Sequence, residues 1–86
     1  MPELCRFFGM VITMYYNDHP PAHFHVRYGA HKAIMTLEPL MILEGELPPR
    51  ALGLVMEWAA QHRAELQENW ERARNLQELL RIAPLE

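Results

Sequence analysis

The chain holds a single cysteine, Cys5, which excludes both an intrachain disulfide and a thiolate cluster for zinc. A lone sulfur near the start of an apolar run reads as a small buried hydrophobe rather than a catalytic thiol. The apolar stretch from Phe7 to Tyr16 is too short to span a bilayer as a helix. No basic start followed by an apolar segment and a small-residue cleavage site is present, so a reducing cytoplasm is the expected location and no membrane is implied. Positive charge is scarce, with eight Lys and Arg against eleven Asp and Glu for a net charge of -3. That balance disfavours a nucleic-acid partner, because neutralising phosphates needs clustered cations. Repeats and low-complexity tracts are also missing.

What is present is an ordinary globular balance, 50% apolar and 22% charged over 86 residues. Residues 1–86 are expected to make one domain with a modest core, since so short a chain buries only about 60 to 65% of its extended surface. Arg6 to Tyr16 is apolar on both alternating faces, with Met10, Ile12 and Met14 on one and Phe7, Val11 and Tyr15 on the other. This predicts a central strand covered on both sides and interrupted at Gly9. Turn-formers fill Asn17 to Pro21.

Three of the five histidines and two adjacent prolines fall within Asp18-His19-Pro20-Pro21-Ala22-His23-Phe24-His25-Val26-Arg27. A strand from Phe24 to Tyr28, with its period of two, sends Phe24, Val26 and Tyr28 inward and His23, His25 and Arg27 outward together. A hairpin through Gly29 to a strand at Lys32 to Leu37 sets Phe24 against Met35 and Val26 against Ala33. Lys32, Ile34 and Thr36 then share the outer face. After a turn at Pro39-Leu40, Met41 to Glu44 makes a fourth strand, and Glu38, Glu44 and Glu46 protect that edge.

Pro48-Pro49 marks the start of a helix. Leu52, Val55, Ala59, His62, Leu66, Trp70 and Ala73 recur at three or four residues, which predicts an amphipathic helix to about Arg74, either continuous or broken near His62. His62 on this stripe reads as a core histidine bonded to a carbonyl. Trp70 belongs to the core, whereas Trp58 with Leu54 widens the apolar surface and reads either as core or as a partner-binding patch. Gln77 to Glu86 is expected to form a short terminal strand or a tail packed on the helix, with extra helix to Ile82 as the alternative. The fold class is therefore α+β: a small antiparallel sheet of three to five strands with one principal long helix laid on it.

The histidine segment supports three readings. His23, His25 and Arg27 suit acid/base work on an anionic group, with Asp18 and His19 in support. His19, His23 and His25 could instead ligate a divalent metal, a third or fourth ligand coming from Asp18, Glu44 or Glu46. The bland reading is a capped turn followed by solvent-facing histidines. No other cofactor is implied.

Asp18 to Val26, together with Arg6-Phe7-Phe8-Gly9, Glu44-Gly45-Glu46-Leu47-Pro48, the stretch Glu57-Trp58 to Asn69-Trp70 and Ile82-Ala83-Pro84-Leu85, resembles a small bacterial family known as domain of unknown function 4160. One departure is Pro39-Leu40, where a glycine-containing turn is expected. The resemblance carries no biochemical activity. It implies a gene beside a second small gene, and hence a component of a two-gene toxin-antitoxin-like module acting through protein-protein contact, with self-association a further option. The alternatives are a metal-independent hydrolase or nuclease on the His/His/Arg face and a histidine-based metal-binding module.

Overall fold

The computed structural model describes residues 3–86. Its first element corrects the single strand expected from Arg6 to Tyr16, which folds instead as a hairpin of β1 (Glu3–Phe7) and β2 (Met10–Thr13). The two turn residues, Phe8 and Gly9, both have positive φ, at 47° and 82°. Tight hairpin turns whose twist matches the strands require this geometry. Phenylalanine rarely adopts it, so the residue types gave no warning of a turn there.

Three more strands follow, β3 (His23–Tyr28), β4 (His31–Leu37) and β5 (Leu40–Gly45), and all five lie in sequence order in one antiparallel sheet. Gly29, at φ 59°, opens the β3–β4 hairpin. Phe24 pairs with Met35 and Val26 with Ala33, in the register that the sequence pattern predicts. The β4–β5 hairpin closes through Glu38 and Pro39 without a glycine, and the Thr36 hydroxyl donates to the Pro39 carbonyl.

The helical stripe is broken at His62 into α1 (Pro49–Gln61) and α2 (Arg63–Arg74). Both cover the sheet face that carries Ile12, Phe24, Val26 and Met35, all of them buried. Trp58 is fully buried there, with its ring 6.1 Å from that of Phe24, and its indole N–H donates to the Ala83 carbonyl at 2.8 Å. The partner-binding patch proposed for Trp58 and Leu54 is thus corrected: Trp58 belongs to the core, and Leu54 is half-buried against it. His62 does not bond a carbonyl through its ring, as the stripe suggested; its Nδ1 faces the Glu65 carboxylate at 2.5 Å.

Residues 77–86 add neither strand nor helix and pack as an irregular tail. Asn69, itself 1% exposed, holds that tail by donating to the Leu80 carbonyl at 2.9 Å and accepting from the Leu80 N–H at 2.8 Å. Farther on, the Ile82 N–H donates to Leu4 O at 3.0 Å, and Ile82 and Leu85 are buried. The other sheet face, the one bearing His25 and Arg27, is exposed at Arg27, while at its His23 end the Trp70 ring of α2 reaches over it.

Candidate metal centre

Asn17 takes a positive φ of 53°, a conformation asparagine tolerates, and its N–H donates to the Ala73 carbonyl at 3.1 Å. That bond anchors the turn to the last residues of α2 and points Asp18 back toward β3. One oxygen of Asp18 accepts the His19 N–H at 2.9 Å. The other lies 2.9 Å from Nε2 of His23 and 3.6 Å from Nε2 of His25.

His23 is enclosed, with a side chain only 3% exposed. The Trp70 ring of α2, 5.1 Å away, covers it, and the His25 ring lies 5.3 Å off on the other side. Nδ1 of His23 faces the Pro21 carbonyl at 2.7 Å; a carbonyl can only accept, so this nitrogen carries a proton. Nε2 of His25 is buried and makes no hydrogen bond of ordinary length; the Asp18 carboxylate oxygen stands just beyond that range, at 3.6 Å. Tyr15 packs edge-on to the His25 ring at 4.4 Å.

Electrostatics follow from this enclosure. Burial pushes the Asp18 carboxyl up, but the His19 N–H and the bond and charge of His23 outweigh it, and the group titrates below its usual range. Burial holds His25 below the ordinary histidine value, with Asp18 opposing.

Of the expected residues, the structure brings together His23, His25 and Asp18, whose candidate donor atoms all lie within 4.8 Å of one another. His19 is not among them: its side chain is 82% exposed and its Nδ1 faces the Pro20 carbonyl at 3.2 Å. The His19/His23/His25 set is therefore corrected to Asp18/His23/His25. Arg27 is exposed on the same strand face as His25, as predicted. Trp70 and Tyr15, which enclose the two imidazoles, were not singled out for the site, because nothing local to the histidine segment announces a ring from α2.

A sequence model of the family described as Domain of unknown function (DUF4160) matches residues 9–71. The chain belongs to that family. The DUF4160 match takes in β2 to β5, α1, most of α2 and all of Asp18, His23 and His25, and leaves out β1 and the tail. No curated protein and no solved structure matches the chain. No helix among the described residues is long and apolar enough to cross a membrane.

Proposed function

We propose that this DUF4160 protein is a small metal-binding module that holds one divalent ion, zinc by preference, on Asp18, His23 and His25. The observation that carries the reading is the buried, unpartnered Nε2 of His25, aimed at a carboxylate oxygen that already faces Nε2 of His23. A buried polar atom without a partner is costly, about 1–3 kcal/mol, and a cation shared by the three groups removes that cost. Two imidazole nitrogens and one carboxylate oxygen are donors that zinc accepts, and three protein ligands leave a position for water or substrate. The Pro21 carbonyl already fixes the His23 tautomer that a Nε2 ligand needs. Donors around a tetrahedral zinc lie about 3.3 Å apart, so the widest pair here closes by no more than about 1.5 Å from its 4.8 Å limit.

An ion in such a position supplies a water of lowered pKa, which suits hydrolysis. The metal-independent alternative, with His23 and His25 trading protons, has less support because His23 is enclosed and committed to Asp18 and Pro21. Elemental analysis of protein purified without a histidine tag tests the proposal: about one equivalent of metal is expected to persist through dialysis and to leave on chelation. Protein free of metal that also fails to bind added zinc, iron or manganese saturably would end it.

A second reading keeps the two-gene toxin-antitoxin-like module implied by the family resemblance, with a protein partner. What favours it is β5, which is hydrogen-bonded to one strand only and exposes Met41 and Leu43, each about half accessible. Co-expression with the neighbouring gene's product, read as co-purification and as a change in growth, tests this reading.

A further inference from the structure

The sheet face bearing His25 and Arg27 carries an open groove of about 520 Å³ that starts at His25 and Tyr15 and crosses β2 to β5. Its size is that of a small-molecule site. The strand register arranges its floor in two rows. In one, Thr13, His25, Ile34 and Glu44 are successive cross-strand neighbours; in the other, Arg6, Val11, Arg27 and Lys32 are. The rows are two residues apart along β3, a step of about 6.6 Å.

Arg27 and Lys32 therefore face each other directly across β3 and β4, and like charges so placed repel. Both are exposed, and neither forms an ion pair among the described residues. Arg6, in the same row, is by contrast neutralised by Glu3 at 2.7 Å. The next residue of this row is the exposed Glu46, whose N–H donates to the Lys32 carbonyl at 3.2 Å, so the cation pair is flanked by an acid on the β5 side, although no ion pair to it forms among the described residues. Glu44 stands in the row of His25, so the groove is negative on that side and positive at the Arg27 and Lys32 end.

We propose that the groove binds the phosphoryl group of a small organic phosphate monoester, gripped by the Arg27 fork and the Lys32 ammonium. A dianionic phosphoryl group offers three oxygens: it accepts two parallel bonds from a guanidinium, relieves the repulsion between the two cations, and leaves its remaining oxygen or its ester group toward the His25 side. The orientation toward an ion rests on the metal reading above; the cation pair itself does not. The groove's limited volume and the chain's net charge of -3 favour a small ester over a polynucleotide.

Calorimetric titration of the full chain with phenyl phosphate and inorganic phosphate, with and without zinc and in chloride at physiological strength, tests the proposal. Arg27→Gln/Lys32→Gln is expected to weaken both ligands at least tenfold while leaving zinc affinity within twofold of the wild type. Lys32→Gln alone gives the same reading, at a smaller size, should the double variant not fold. Phosphate bound equally by wild type and double variant, or by neither, overturns the proposal. So does a single-stranded oligonucleotide that binds more than tenfold tighter than phenyl phosphate. If zinc fails to bind but phosphate affinity still depends on Arg27 and Lys32, the metal reading falls and this site stands.

Discussion

Oδ2 of Asp18 lies 2.9 Å from Nε2 of His23, an imidazole whose other nitrogen is already committed to the Pro21 carbonyl. Both ring nitrogens thus face oxygen acceptors, an arrangement into which a cation shared with Asp18 fits. The metal-bound and the metal-free protein call for different variants.

If a cation is bound, Asp18→Asn and His25→Gln each remove one of three ligands while leaving the fold in place. Zinc affinity, measured by competition with a chelating dye, is expected to fall by more than about 100-fold in each, beyond what loss of an outer hydrogen-bond partner costs. His19→Gln, at a side chain 82% exposed, is expected to leave the affinity unchanged.

For metal-free protein, the pH dependence of stability follows from His25. Its burial holds the native value below 6.5, so the unfolded chain takes up the proton at higher pH than the folded one. The stabilisation is complete above the unfolded value and is lost as pH falls through the native one. The thermal midpoint should drop as pH is lowered from about 7 toward 5, and His25→Gln should flatten that slope. Asp18, held below its ordinary 3.8, adds a second decline in more acidic solution.

Asn69 makes both of its tail bonds with opposite ends of one amide group, so the isosteric Asn69→Asp replaces a donor by an acceptor facing the Leu80 carbonyl. A loss of about 1–3 kcal/mol is expected in urea unfolding, with faster proteolysis of residues beyond 76. Equal stability for the two chains would show that the tail is held by packing alone.

Two glycines give opposite expectations. At Gly45, where φ is 82°, an added Cβ would run into the Lys32 carbonyl oxygen, and Gly45→Ala should destabilise by about 2 kcal/mol or more. At Gly53, exposed within α1, a Cβ meets nothing within 4 Å, and Gly53→Ala should stabilise by about 0.5–1 kcal/mol. Thermal melts of both variants decide.

The strand at Phe24 was legible because its inward residues alternate without a break, and the Phe24–Met35 register followed from Gly29 at the turn. The stripe from Leu52 to Ala73 was legible for the same kind of reason, whereas the spacing left a continuous helix and a break near His62 equally open, and the structure takes the break. The hairpin at Phe8 was not, since its turn is held by a residue type that seldom adopts the conformation. The outward direction of His23, His25 and Arg27 was correct in phase. Alternation reports only which face a side chain leaves from, however, and could not show that Trp70 closes over His23. Asp18 displaced His19 because the turn beginning at Asn17 decides which of two adjacent side chains points back at the strand.

The bond from Ile82 to Leu4, with Arg81 lying 3.7 Å from Glu3, occupies the outer rim of β1 with the chain's own last residues. Foreign strands then find a template at one rim of the sheet only. Association by strand addition is thereby biased toward a closed pair of molecules through β5 and away from propagation into a fibre.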